Sequence, residues 1–466
     1  MVDRARHVVI CGGGASAVIL VRALTRSAVA PLDITIVEER TPVGPGLAYS
    51  TKSSSHLLNV PAGRMSADAG DAANFVDWLN AQDGERKFDA KTFVPRSLYG
   101  AYLKDLLSLA MLDRHSPVQV RVRHARVVGL ARANARHWKV LLDDNRSIDA
   151  EAVVIATGNE RPRAFQAIGA EVDPALALQD PWDADAKAAI STEKSVALIG
   201  SGLTAVDVCV ELLDRGHQGQ IKMISRHGLL PRKHAPALVS GTWLFPPYPN
   251  SIADLVRSTR DEAHRTPGDD AWRTTIDALR PNLPAIWAEL SDESKTRFLR
   301  HVRPFWEVHR HRMAPQVASR LENAMEEKRL TIHRGRVAAI EPAQATALNI
   351  KLKPHGRHAA SLGADIVINC TGPDYNPRAT RNPLIADLLS KGFARPDPLH
   401  LGLDTDDDDC VLGANGNPQE NLYAVGPVAR GRLWEVTAIP EIRAQAAVLS
   451  RRITLPEVGH ELAYTI

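Results

Sequence analysis

Two glycine-rich runs, 188 residues apart, carry the most telling chemistry of the chain. Gly12-Gly13-Gly14-Ala15-Ser16-Ala17 follows the apolar run His7-Val8-Val9-Ile10-Cys11. Gly200-Ser201-Gly202-Leu203-Thr204-Ala205 follows Ser195-Val196-Ala197-Leu198-Ile199. Both read G-x-G-x-x-A. In that pattern the first glycine turns the chain out of a strand, and the second lets backbone approach a pyrophosphate. The small last residue lets a helix pack on the strand with its N-terminus toward the phosphates. One copy alone is a weak signal. Here each copy has an apolar strand before it, a helical pattern after it and a further strand about 20 residues on.

The two further strands end differently. Residues 33–38 place Glu38 21 residues beyond Ala17, where a carboxylate can accept hydrogen bonds from a free ribose 2′-hydroxyl. Residues 220–226 place Ser225 20 residues beyond Ala205, with no acid in that position. Ser225 can hydrogen-bond a 2′-phosphate and Arg226 can pair with it, while Lys222, Arg232 and Lys233 keep the neighbourhood positive. The first module is therefore read as a site for FAD and the second as a site for NADPH.

With these residues the chain resembles the flavoproteins that carry two dinucleotide-binding domains. Within them it is similar to the FAD/NAD(P)-binding proteins related to flavin-dependent N-hydroxylating and Baeyer–Villiger monooxygenases. The resemblance spans nearly the whole length. It rests on both fingerprints, on Ala156-Thr157-Gly158 and Cys370-Thr371-Gly372, and on the late run Leu422-Tyr423-Ala424-Val425-Gly426-Pro427. Leu57-Leu58-Asn59-Val60-Pro61-Ala62 looks like a segment that such proteins run beneath the flavin ring. Gly426-Pro427 stands where the family has Gly-Asp, which removes a carboxylate often placed near the flavin ribityl phosphate.

The resemblance implies an NADPH-dependent FAD monooxygenase that oxidises a small molecule with molecular oxygen through a flavin hydroperoxide. The reaction would be N-hydroxylation or Baeyer–Villiger insertion. Two alternatives remain open: an NADPH:acceptor flavin reductase without a stable oxygen adduct, and a redox sensor that binds FAD and NADPH as ligands.

Candidate cofactor contacts follow. For FAD they are Gly12, Gly13, Gly14, Ala15, Ser16, Ala17, Glu38, Asn59, Met65, Thr157, Gly158, Gly426, Pro427, Trp434 and Thr437. For NADPH they are Gly200, Gly202, Leu203, Thr204, Ser225, Arg226, Arg232, Thr371 and Gly372. His56, Asn59 and Arg310 are candidates for chemistry: proton transfer, hydrogen bonding and anion recognition in turn. Local turn contacts explain His56 and Asn59 about as well. Arg310 lies in His309-Arg310-His311-Arg312-Met313, which reads slightly better as a solvated helix face. Its histidines, two apart, do not share a helix face, so no metal site is expected. Arg430 and Arg432 flank a segment, residues 434–437, expected to lead into a helix aimed at the flavin.

The bulk composition narrows the class. A chain of 466 residues exceeds one core, and 44% apolar with 24% charged residues is ordinary for a globular protein. A net charge of +3 does not argue for nucleic acid or a membrane surface. No apolar run is long enough to span a bilayer, and the fingerprint explains the apolar residues 8–20 without a secretory leader. Cys11, Cys209, Cys370 and Cys410 form no C-x-x-C pair, so a dithiol relay has no means, and a reducing cytoplasm fits.

The elements that must position these residues form an α/β fold. Two Rossmann-like dinucleotide-binding domains are expected, the NADPH domain inserted in a discontinuous FAD domain, with a helical insertion. Residues 1–160 open the FAD domain, 161–193 form a linker, 194–372 form the NADPH domain with the insertion at about 240–330, and 373–466 return to the FAD domain. Helices are expected near 71–82, 96–113 and 203–215. Residues 118–128 and 138–142 read as strands of a β-meander. The insertion holds Trp243, Trp272, Trp287 and Trp306, and the acidic run 404–409 reads as a solvated hairpin edge.

Overall fold

The computed structural model describes residues 5–82, 87–134, 136–235, 251–266, 268, 270–344, 347–355 and 358–454. Trp243 and the expected start of the helical insertion at 240–250 lie outside them. The chain divides into two units. One comprises Met1–Thr51, Pro61–Glu160 and Tyr375–Ile466, the other Lys52–Val60 and Arg161–Asp374.

The first unit is built on a six-stranded sheet. Its strand order is Cys410–Leu412, Pro418–Ala424, Ala152–Ile155, Arg6–Cys11, Leu32–Val37, Val118–Arg123. Every pairing is parallel except the first. Val8, Val9 and Ile10 are fully buried, the continuous apolar run that a strand covered on both faces requires. The register aligns Cys11 with Val37 and with Ile155. The turns that leave these three strands, carrying Gly12, Glu38 and Ala156, therefore emerge along one edge.

Of residues 118–128, expected in the meander, only Val127 and Val128 belong to it. Val118–Arg123 joins the parallel sheet beside Leu32–Val37, because the helix Arg96–Leu112 carries the chain back in the same direction. The antiparallel meander is Val127–Arg132, Trp138–Leu142 and Ser147–Ala150. Its Trp138, Leu130 and Val140 are fully buried in a core shared with Leu384 and Leu388 of the helix Pro383–Ser390.

The second unit repeats the plan with five parallel strands, in the order Leu330–Arg334, Ile221–Ser225, Val196–Ile199, Ile366–Asn369, Ala177–Leu178. The stretch 161–193, expected as a linker, supplies the last of these. Ile199 aligns with Ile224 and with Asn369, which brings three strand ends to one edge as in the first unit. Helices from Ile252–Arg265 to Pro315–Glu326 occupy the expected insertion, and the last of them leads into the edge strand Leu330–Arg334. No helix among the described residues is long and apolar enough to cross a membrane.

Candidate functional site

In the first unit Gly12 adopts φ +108°, and a Cβ there would lie 2.5 Å from the carbonyl oxygen of Ala156. That glycine serves the turn and the close approach of two strand ends. Gly14 differs: the nearest atom to an added Cβ is Gly46 Cα at 3.5 Å, and Gly158 has nothing within 4 Å. Space is thus kept open above the N-terminus of the helix Ala15–Ser27, which no side chain caps. A helix start without a protein cap presents its first amides to an external anion.

Glu38 closes over this turn and is 7% exposed. Its Oε2 accepts from the Gly13 amide at 2.9 Å, and its Oε1 accepts from the Arg40 amide and Nε at 3.0 and 3.2 Å. Burial alone would raise this carboxyl. The amides of Arg40 and Gly13 and the Arg40 guanidinium outweigh that and hold it below its ordinary value.

Gly426 also reaches the fingerprint. A Cβ on it would meet Ser16 Oγ at 2.3 Å, and its amide donates to Gln445 Oε1 at 2.8 Å. Gln445 Nε2 donates in turn to Asp409 Oδ1 at 2.8 Å, which also accepts from Arg432 at 2.6 Å. Asp409 is 2% exposed, so the acidic run is not simply a solvated edge: its last carboxylate is buried as an anchor for Gly426. Burial raises the Asp409 carboxyl, against the opposing Arg432 charge. The spacing of the run gave no sign of this, because Gln445 and Arg432 arrive from distant sequence.

The remaining candidates of this unit are closely held. Met65 and Trp434 are buried, Pro427 is buried within a short 3-10 turn, and Thr157 is half-buried. The Arg430 guanidinium lies over the rings of Tyr375 and Trp434 at 4.2 and 4.1 Å, and the helix after Thr437 begins at Ile439.

In the second unit Gly200 repeats the role of Gly12, with φ +120° and an added Cβ 2.3 Å from the Cys370 carbonyl oxygen. Gly202 and Gly372 have nothing within 4 Å. No side chain caps the helix Leu203–Asp214, whose first turn carries Leu203 and Thr204. Thr371 is held by Asn369 Oδ1, to which its hydroxyl donates at 2.7 Å.

Ser225 stands where Glu38 stands in the first unit. Its hydroxyl accepts from Ser201 Oγ at 2.7 Å and from the Gly228 amide at 3.1 Å. Arg226 is exposed beside it. The parallel register sets Arg334 opposite Ser225, a residue that sequence reasoning missed. Neither Arg226 nor Arg334 has a carboxylate partner among the described residues. Burial lowers the pKa of His227, and the guanidiniums of Arg226 and Arg334 lower it further, which places both charges close to that ring.

His56 and Asn59 fall in the second unit. His56 is 2% exposed, with Nε2 3.3 Å from Glu211 Oε2 and 3.2 Å from the Asp207 carbonyl oxygen. Lys187 pairs with the same Glu211 oxygen. Burial would raise the Glu211 carboxyl, but hydrogen bonds from His56 and Lys187 and their charge hold it at about 2. The carbonyl of Asn59 faces His234 Nε2 at 3.0 Å.

The segment after Ser225 meets the basic run of the insertion. Arg232 donates its amide to the Val308 carbonyl and accepts from the Met313 amide, both at 2.8 Å. The basic run is not a solvated helix face: Arg310 is 7% and Arg312 4% exposed. Arg312 forks onto Asp277 at 3.0 and 3.1 Å and lies over the Trp272 ring, so burial is compensated by a bidentate carboxylate. His309 meets the edge of the same ring, and burial lowers its pKa with help from Arg232, Arg312 and Arg273.

The four cysteines are unpaired thiols. Burial pushes Cys11, Cys209 and Cys410 up to about 12, and pushes Cys370 up as well. None is poised as a thiolate nucleophile.

Comparison with known proteins agrees with this geometry. A family model described as FAD-NAD(P)-binding matches residues 9–160. A second, described as L-lysine 6-monooxygenase/L-ornithine 5-monooxygenase, matches residues 89–331, more than half of the chain. No curated protein matches by sequence. Among solved structures, the ornithine N-hydroxylase of Kutzneria sp. 744 is 15% identical with a TM-score of 0.66, covering 97% of this chain and 99% of its own. The L-lysine 6-monooxygenase of Pseudomonas syringae is 16% identical with a TM-score of 0.64 and the same coverage. The FAD-bound cadaverine monooxygenase of Erwinia amylovora is 13% identical with a TM-score of 0.66, covering 99% and 98%. At these identities the structures speak for the fold.

Proposed function

The chain belongs to the L-lysine 6-monooxygenase/L-ornithine 5-monooxygenase family, and from that premise we propose that this FAD- and NADPH-dependent monooxygenase hydroxylates the terminal amine of a small aliphatic amine or diamino acid. The substrate is a small molecule and the oxidant molecular oxygen. The observation that carries the reading is the pair of open, uncapped glycine cradles with opposite strand-end chemistry. The N-hydroxylases among its structural neighbours support the amine over a ketone.

When bound, FAD would supply the redox chemistry, with NADPH as hydride donor and molecular oxygen as oxidant. The protein's own part is to bind and orient. In the first unit, residues 12–17, Thr157, Gly158, Gly426 and Pro427 would hold the FAD phosphates and ring, and Glu38 the adenosine ribose. Met65, Trp434 and Thr437 would line the approach. In the second unit, Gly200, Gly202, Leu203, Thr204, Thr371 and Gly372 would hold the NADPH pyrophosphate. Ser225, Arg226 and Arg334 would hold its 2′-phosphate, with Arg232 adding positive charge. His56, Asn59 and Arg310 are assigned positioning roles, His56 through Glu211. Four unpaired thiols support a reducing cytoplasm as the setting.

The test is product analysis. L-ornithine, L-lysine and cadaverine are offered in turn with NADPH, and hydroxylamine product is measured beside NADPH and oxygen consumption. At least one amine should accelerate NADPH oxidation and yield hydroxylamine in comparable amount. NADPH oxidation that no amine alters, with peroxide as the sole product, would remove the amine assignment.

A further inference from the structure

The first unit carries a cavity of about 310 Å³ that the oxygenation chemistry does not use. It lies between the helices Ala15–Ser27 and Ile439–Thr454 and the turn at residues 67–71. Arg22, Arg26, Arg443 and Arg451 line it, against two carboxylates, Asp68 and Asp71, for a net charge of +2.

The carboxylates are already committed. Asp68 Oδ2 receives both Arg22 and Arg26, at 3.0 and 3.1 Å, and its Oδ1 accepts from the Gly70 amide at 2.9 Å. Burial would raise this carboxyl, yet Gly70 and the two guanidiniums hold it low. Asp71 accepts from the Ala73 amide and from Asn74 Nδ2. One oxygen thus serves two arginines. Arg443 donates to the Ser66 carbonyl at 2.7 Å, and Arg451 has no ion pair among the described residues.

Like charges one helical turn apart, as at Arg22 and Arg26, repel, and the one Asp68 carboxylate between them balances only one of the two charges. Four guanidiniums around a concave space present the forked donors that phosphate and carboxylate groups match. The volume lies within the range of small-molecule sites. At a rise of 1.5 Å per residue, Arg22 and Arg26 stand roughly 10 and 16 Å along the helix from Ala15. The cavity is therefore separate from the dinucleotide cradle but shares its helix.

We propose that this cavity is a second anion-binding site. It takes a small molecule bearing two or more phosphate or carboxylate charges. The bound anion ties together the two helices that flank the flavin cradle and slows FAD loss.

The experiment uses the FAD-loaded protein at low ionic strength, with pyrophosphate and citrate as probes and sodium chloride matched for ionic strength. Calorimetric titration reads binding, and the temperature of flavin release, followed by its fluorescence, reads coupling. The expected result is saturable binding of at least one probe, a higher release temperature that chloride does not reproduce, and binding weakened roughly tenfold or more in Arg26→Gln/Arg451→Gln. Pyrophosphate alone binding identifies a phosphate ligand; citrate alone identifies a carboxylate one. Arg451→Gln by itself, at an exposed position, keeps the test valid if the double variant loses FAD. The proposal is overturned if neither probe saturates or if both variants bind as the wild type does. It is equally overturned if Arg226→Ala abolishes the binding, which would place it in the second unit. Saturable binding with an unchanged release temperature overturns the coupling.

Discussion

The two glycine turns are built alike up to the residue that closes over them. In each, the first glycine is pressed against the carbonyl of a neighbouring strand end, Ala156 or Cys370, and the later one has room for a Cβ, with Gly46 Cα 3.5 Å away at Gly14 and nothing within 4 Å at Gly202. In each, the second strand sends one side chain back onto the turn. In the first unit that side chain is Glu38, which accepts from the Gly13 amide. In the second it is Ser225, bonded to Ser201, with Arg226 and Arg334 beside it. The shared part has the form that would bind a pyrophosphate by backbone and helix N-terminus. In the proposed reading the differing part would recognise what hangs on the adenosine ribose: a hydroxyl for a carboxylate, a phosphate for a serine and two guanidiniums.

The largest effect should come from filling the shared part. Gly14→Val should strip the protein of nearly all FAD while the chain stays folded, because the nearest protein atom to an added Cβ, Gly46 Cα, is at an ordinary contact distance of 3.5 Å. Gly202→Val should leave the protein yellow and abolish its reduction by NADPH. Absorbance of the purified variants and anaerobic reduction traces check both. Gly12→Val is a poorer probe, since its side chain collides with Ala156 and loss of fold would mimic loss of flavin. A yellow Gly14→Val with full occupancy would break the assignment of FAD to the first unit.

The differing part should yield a smaller, selective effect. A charge-assisted phosphate contact contributes ~1.5–3 kcal/mol, so Arg226→Ala or Arg334→Ala should raise the KM for NADPH roughly tenfold or more. Neither should alter the KM for NADH. An equal loss for both coenzymes would mean that these arginines support the fold rather than the 2′-phosphate.

Smaller still is a contrast in acid sensitivity. Glu38 and Glu211 both have carboxyls held below their ordinary 4.5, Glu211 at about 2. A depressed carboxyl contributes stability that is complete above its unfolded value and is lost as pH falls through the folded one. Glu211 should thus stabilise the protein fully above 4.5 and lose that contribution between 4.5 and about 2. In Glu211→Gln, chemical unfolding across that window should show a flatter dependence on pH than in the wild type. Unchanged slopes would show that the Glu211 carboxyl is not held below its unfolded value by the His56–Glu211–Lys187 cluster.

The least effect is expected from the thiols. Replacing Cys11, Cys209, Cys370 and Cys410 by Ala or Ser should leave flavin reduction by NADPH intact, with a modest packing loss. Arrest of turnover on removal of one cysteine, with FAD retained, would point to a thiol relay.

What the sequence disclosed follows from how local each requirement is. The fingerprints and Glu38 were legible because strand, turn, helix and strand lie within a few dozen residues and impose fixed spacing. Arg334 was not, because it reaches Ser225 only through the pairing of two strands separated by the whole helical insertion. Asp409 looked like surface charge, since its partners Arg432 and Gln445 come from later elements. The strand Val118–Arg123 has the same alternating burial in a meander as at a sheet edge, so only the crossover direction separates the two. The run 309–313 failed for a related reason: Asp277, which allows Arg312 to be buried, sits on another helix.

The most direct measurement is the anaerobic reduction of the bound flavin by NADPH and by NADH over a range of concentrations. If the two cradles recognise different riboses, NADPH should saturate at a concentration roughly tenfold or more below NADH, and Arg226→Ala/Arg334→Ala should bring the two together. Equal saturation by both coenzymes in the wild-type protein would contradict the account.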